Sequence, residues 1–106
     1  MLEVKETSPA SELQHGHTVV GVTQSPLSTR SYKFARGIMI RTPGVNDPVP
    51  NVDIVYVGRR GVLANNSLGG GMPLLPGANL ELPVDDPSQV YVISGTASQD
   101  VAWMGV

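Results

Sequence analysis

Cysteine is absent from the 106-residue chain, which excludes disulfide bonds, thiolate metal ligands and a cysteine nucleophile. Aromatic residues are scarce at 5%, whereas sugar platforms and single-strand nucleic-acid surfaces expose several stacking rings. No run approaches the ~20 apolar residues that span a membrane, and residues 1–13 lack the apolar core of a secretory signal. We therefore expect a soluble protein, made in the cytosol, with no nucleic-acid or membrane partner.

The residues that are abundant indicate one domain of short strands. A chain of this length normally folds around a single core, and 41% hydrophobic residues are enough to form one. The 12 glycines and 9 prolines require many turns. This composition favours short strands joined by tight loops.

Charge is segregated along the chain. Residues 30–60 carry a net +4, whereas residues 61–106 carry −4 and residues 1–29 carry −2. A basic middle and an acidic end can pair head to tail with copies of the same chain or with a neighbour. The alternative is a solvated surface on which this clustering does not survive folding.

Period-two patterns rich in Val, Ile and Tyr predict about seven strands, and no segment shows a helical period. Trp103 is predicted in the core, Pro83 at an edge or a strand end, and residues 85–88 as the turn of a hairpin. With hairpins dominant, we predict an all-β protein, a single antiparallel β-sandwich of the jelly-roll type. The predicted strands are residues 17–23, 36–42, 52–58, 61–64, 80–84, 89–94 and 101–106.

Residues 1–15 have no sustained apolar period and contain Ser8-Pro9, so we predict an extended N-terminal arm there. Residues 16–106 then form the β-sandwich domain. An arm without a core face of its own is either disordered or packed on a partner.

The sequence offers little catalytic chemistry. His15 and His17 point to one side of an extended chain, but two imidazoles are not a metal site without a third ligand. Asp85-Asp86 is explained by a turn, and Gly69-Gly70-Gly71 lacks the following helix of a phosphate loop. No serine has a nucleophile context. We predict no enzyme activity, no cofactor and no metal; a cupin-like metalloenzyme using His15 and His17 is the alternative.

The C-terminal half carries a series of short motifs. They are VYVG, GMPL, PGANLELPV, DPSQVYVI and a final strand with an aromatic residue, in residues 55–58, 71–74, 76–84, 86–93 and 101–105. This series resembles small virion proteins of tailed bacteriophages, a group that includes decoration, head-fibre and tail-associated proteins. The resemblance covers about half the chain and implies location in the virion, with no catalytic residues to transfer.

The resemblance implies a capsid decoration, or cement, protein on the capsid exterior that binds the major capsid protein and self-associates as a dimer or trimer. We expect the contacts at two kinds of position, the arm and the basic segment: Leu2, Val4, Leu13, Arg30, Lys33, Arg59 and Arg60. The alternatives are a head-fibre or tail adaptor module, and a carbohydrate-binding module that attaches to host surface glycans through Tyr32 or Tyr91.

Overall fold

The computed structural model describes residues 13–65 and 69–106, and in these parts of the chain the regular structure is almost entirely β. One short 3₁₀ helix, Pro87–Gln89, is the only helical element there. None of the described residues forms a helix of the length and apolarity needed to span a membrane. The strands are β1 Gln14–Val20, β2 Ser25–Pro26, β3 Ile38–Arg41, β4 Val55–Gly58, β5 Met72–Leu74, β6 Asn79–Leu82, β7 Tyr91–Ser94 and β8 Gln99–Gly105.

The strands form two four-stranded sheets, and every neighbouring pair is antiparallel. The first sheet has the order β1-β8-β3-β6 and the second has the order β2-β7-β4-β5. The predicted all-β class and antiparallel pairing are therefore confirmed. Pro83 follows the last residue of β6, which is an edge strand, as predicted.

The main core lies between the two sheets, in a sandwich-like arrangement. Strand β8 shows why: Gln99, Val101, Trp103 and Gly105 are buried and the residues between them face outward, as the alternation of a strand requires. The first sheet adds Ile38 and Ile40, and the second adds Val55, Val57, Leu74 and Val92. Each fully buried aliphatic side chain contributes about 1.5–3 kcal/mol of burial free energy.

Three aromatic rings fill one part of this core. Tyr32 stacks on Phe34 with ring centroids 5.2 Å apart, and both rings contact Trp103. Trp103 is buried, as its position in the last predicted strand indicated. Gly105 makes the close packing possible, since a Cβ atom there would lie 2.4 Å from the Phe34 ring.

A second, smaller cluster covers the outer face of the second sheet. Tyr56 and Ile93 point out of that face, and Val62, from the segment after β4, packs on them. Strand β4 is therefore buried on both faces. The pattern of residues 52–58 predicted the strand but not its burial on both faces, because the covering segment shows no pattern of its own.

Several predicted boundaries and connections were wrong. Strand β1 begins at Gln14, so Gln14 and His15 lie in a strand and not in the arm. Pairing with β8 extends this strand towards the N-terminus, beyond the predicted start at residue 17. Strands β6 and β7 are not a hairpin, because the 3₁₀ helix carries the chain from one sheet to the other. Only β4 and β5 are both consecutive and paired in the described part of the chain, so hairpins do not dominate.

Residues 61–64 form no strand beyond a single bridge between Leu63 and Gly70. Strands β2 and β5 were missed, because each is short and contains a proline.

Replacing Gly105 with alanine should destabilise the fold by about 1–3 kcal/mol, because the added methyl group overlaps the Phe34 ring. The free energy of unfolding is measured with urea. Gly21→Ala is the matched control, since nothing lies within 4 Å of its Cβ position. Equal stability of the two variants would show that the aromatic packing does not constrain this end of the fold.

Candidate functional site

The strand registers define two ends of the sandwich. Strand β1 begins at one end, where β8 stops, because Gln14 pairs with Gly105. We call this the arm end. Strand β7 also begins there and finishes at the opposite, far end, where the Ser94 amide donates to the carbonyl oxygen of Gly21. The arm end therefore carries the loops of residues 27–37 and 83–90, and residues 59–65 and 69–71 between β4 and β5.

The arm end brings together the described contact candidates. Arg30 and Lys33 lie in the first of these loops, Arg59 and Arg60 in the second, and all four are exposed. Leu13, which precedes β1, is 56% exposed at the same end. Leu2 and Val4 lie outside the described residues. Arg36, which was not among the candidates, is a fifth exposed cation there.

A carboxylate holds the loop that carries Arg30 and Lys33. Asp86 accepts hydrogen bonds from the Ser31 hydroxyl at 2.9 Å, from the Tyr32 amide at 3.3 Å, and from the amide and hydroxyl of Ser88. The Phe34 amide also donates to the carbonyl oxygen of Asp85 at 2.7 Å. These bonds fix the loop against the 3₁₀ helix, so its cations project from an ordered backbone.

Two opposing effects act on the pKa of Asp86. Partial burial raises it, but the hydrogen bonds from Ser88, Ser31 and Tyr32 outweigh this effect, and the pKa lies below its ordinary value of 3.8. The carboxylate is therefore charged at neutral pH and offsets part of the positive charge of the loop.

The adjacent cations Arg59 and Arg60 lie on a turn that hydrogen bonds hold in place. The Val62 amide donates to the carbonyl oxygen of Arg59, and the Gly61 amide donates to Oε1 of Gln24 at 2.7 Å. Val62 itself is buried against the second sheet. The turn presents both guanidinium groups to solvent because its apolar residue faces inward.

Charge differs between the two ends of the fold, but the division does not follow the segments seen in the sequence. Among the described residues, the arm-end loops hold five cations against Asp85 and Asp86. The far end holds Asp47, Asp53 and Asp100 against Arg41 alone. The basic segment is thus divided: Arg41 lies at the far end, and the other five cations lie at the arm end.

The far end has a feature that the sequence analysis did not identify, a rigid loop with exposed valines. Asp47 accepts a hydrogen bond from the Gly44 amide at 2.6 Å and forms an ion pair with Arg41 at 3.0 Å. The hydrogen bond from Gly44 has the larger effect in lowering the pKa of Asp47, and the bond from Arg41 adds to it. Asn51 exchanges two hydrogen bonds with the backbone of Asp100. The valines 45, 49 and 52 nevertheless face solvent, Val45 at 87% exposure. The available signal was a series of valines interspersed with prolines in residues 43–52.

The proposed glycan residues are poorly placed for stacking. Tyr32 packs on Phe34, and the Arg30 guanidinium lies 5.4 Å from the centre of its ring. Tyr91 is half-buried and packs against the cluster of Tyr56, Val62 and Ile93. Neither ring stands free as a platform for a sugar.

The two histidines lie on the exposed outer face of the first sheet. His17 Nδ1 is 3.5 Å from Asp100 Oδ1, an oxygen that has no hydrogen-bond partner among the described residues. No group of three or more His, Asp or Glu side chains within residues 13–65 and 69–106 is arranged to hold a metal ion. An exposed His–Asp pair of this kind contributes little to stability.

Asp86→Asn should lower the free energy of unfolding at about pH 7, because it removes the charge that accepts these hydrogen bonds. A pKa lowered by folding stabilises the protein above the ordinary value, and this contribution is lost as the pH falls through the lower folded-state value. Urea unfolding should therefore show a difference in stability between the parent and the variant that narrows as the pH falls below 3.8.

Asp85→Asn is the control, because the Asp85 side chain makes no hydrogen bond within the described residues. A gap that stayed constant with pH would contradict the role given to Asp86.

No model of a known protein family matches this chain, and no curated protein and no solved structure is significantly similar to it.

Proposed function

We propose that this protein is a non-enzymatic capsid decoration protein, which binds the exterior of an assembled bacteriophage head and bridges subunits of the major capsid protein. The observation that carries the proposal is the arm end. Exposed cations from two separate loops and Leu13, the last residue of the arm, lie at this end. One end of the molecule then offers both a charged surface and an apolar segment to a partner.

The strand pairing supports the finer assignment of the sandwich as a jelly roll. Strands pair as β1 with β8, β2 with β7, β3 with β6 and β4 with β5. This is the pattern of one long antiparallel ribbon that has been rolled up, with the β3·β8 and β4·β7 pairs closing the two sheets. Eight-stranded jelly rolls occur in viral capsid proteins as well as in lectins and cupins, so the fold is compatible with the proposal and does not select it.

The mechanism is linkage between binding and assembly. A protein that binds the assembled shell but not free capsid subunits stabilises the shell by its binding free energy at every occupied site. Electrostatic complementarity between the basic arm end and an acidic capsid surface would set the orientation and the association rate. The arm, with Leu2, Val4 and Leu13, would add apolar contacts to this interface. In this account the major capsid protein is the main partner.

A head-fibre or tail adaptor is the second candidate, and the far-end loop favours it. An adaptor must hold two different partners, and the exposed valines at the far end form a second surface opposite the cations. Both candidates place the protein in the virion. They differ in whether the far end is also occupied.

Deleting residues 2–13 should weaken binding to capsids that were assembled without this protein, while leaving the unfolding midpoint unchanged, because β1 begins only at Gln14. Binding is measured by co-sedimentation with the capsids. Unchanged capsid binding by a folded deletion variant would contradict the role of the arm.

Replacing both Arg59 and Arg60 with glutamate should reduce capsid affinity at least about tenfold, with the larger effect at low salt, where surface charges are least screened. The matched pair at the far end is Val45→Ser with Val49→Ser, which should leave capsid binding intact. The reverse pattern would show that the far end, and not the arm end, faces the shell.

A further inference from the structure

The outer face of the first sheet is exposed in the described part of the chain, whereas Val62 covers the outer face of the second sheet. Met39 and Met104 are 42% and 46% exposed at its centre. Leu13 is also exposed, and these three residues help to line one shallow groove. Methionines are adaptable contact residues and are enriched in interfaces.

The strand register gives the order of side chains across this face. His15 pairs with Met104, Met104 with Met39, and Met39 with Glu81. One row of outward side chains therefore reads His15, Met104, Met39, Glu81, with neighbours about 4.8 Å apart. The row is apolar at its centre and has unlike groups at its two edges.

The next row towards the arm end forms a notch. Gly37 has a φ of +108° and no side chain, and the groove at this position is lined by Leu13, Pro83 and Val106 as well as by the methionines. The notch cannot be filled by a residue at position 37, because a Cβ atom there would lie 2.5 Å from the carbonyl oxygen of Leu82.

We propose that this face binds the same face of a second copy of the chain, around a two-fold axis that runs parallel to the strands between β8 and β3. This operation reverses the order across the row. His15 then lies opposite the partner's Glu81, Met104 lies opposite the partner's Met39, and each contact occurs twice, as in any isologous interface. An imidazole N–H donates to a carboxylate whether or not the ring is protonated, and a protonated ring adds charge attraction.

The charge pattern selects this axis. An axis perpendicular to the strands and through the same row would place His15 against the partner's His15 and Glu81 against the partner's Glu81, which juxtaposes like charges. The parallel axis joins unlike groups at both edges and places Val106 opposite the notch at the partner's Gly37. Face-to-face sheets also pack with their strands nearly aligned, which this axis provides.

We choose a second copy as the occupant because the face is complementary to itself: the unlike groups at its two edges, His15 and Glu81, meet when two copies pack together. The proposal does not depend on capsid binding. Its test uses the free protein, so failure of the dimer and failure of the decoration role are separate results.

The experiment is sedimentation equilibrium of the full chain over a concentration series. Glu81→Lys and His15→Glu should each raise the dimer dissociation constant at least about tenfold. His15→Glu places two carboxylates in contact, and Glu81→Lys replaces the acceptor of the imidazole N–H with a group that can only donate. The combined variant, His15→Glu with Glu81→Lys, should restore dimerisation towards that of the parent. Within one chain these residues are three strand spacings, about 14 Å, apart, so rescue reports a contact between chains.

Arg60→Glu, a charge reversal of the same size as Glu81→Lys but of opposite sign and outside this face, is the control and should leave the dimer unchanged. Unfolding midpoints confirm that each variant folds. A parent chain that is monomeric up to about 1 mM would overturn the proposal. This holds whichever other occupant, residues 1–12 or a different partner, binds the face. So would a dimer that is insensitive to both single changes, or a combined variant that dissociates more than either single variant.

Discussion

The packing of three aromatic rings between the sheets is the interaction on which both the fold and the candidate site depend. With aromatic residues at only 5% of the chain, Tyr32, Phe34 and Trp103 supply much of the apolar volume near the arm end. Trp103 belongs to β8, which pairs with both β1 and β3. Tyr32 and Phe34 belong to the loop that also carries Arg30, Lys33 and Arg36. Burial of the rings thus fixes the backbone from which the exposed cations project.

The division between residues that face the core and residues that face solvent also explains why the two ends of the fold have different surfaces. Loops of the arm end bury an apolar or aromatic residue and expose a cation beside it, as Val62 does for Arg59 and Arg60. At the far end, the side chains of Asp47 and Gln99 accept hydrogen bonds from backbone amides, and the Asn51 side chain donates to a backbone carbonyl. These bonds hold the loop in place of apolar anchors, and its valines remain in solvent. The two ends therefore differ in charge and in chemistry, which suits a protein that binds a partner in one orientation.

The fold class could be predicted from the sequence because period-two alternation and β-branched residues are local signals. Residues 36–42 and 101–106 contain β3 and most of β8 for this reason. The strand order could not be predicted, because it depends on which sheet each loop enters; the turn at residues 85–88 looked like a hairpin and instead joins the two sheets. Likewise, the sequence indicated Arg30, Lys33, Arg59 and Arg60 as a charged set, but only the register of β7 with β2 and β4 places them at one end. The row from His15 to Glu81 joins strands that are distant in sequence, so no local pattern could have shown it.

The central claim is that the arm end faces the capsid shell at many sites. Cryo-electron microscopy of purified particles, together with the copy number of this protein from quantitative mass spectrometry, tests it most directly. The account predicts many copies distributed over the shell, each with residues 27–37 and 59–65 against the major capsid protein. A few copies at a single vertex, an arm end that points into solvent, or absence from the particles would contradict it.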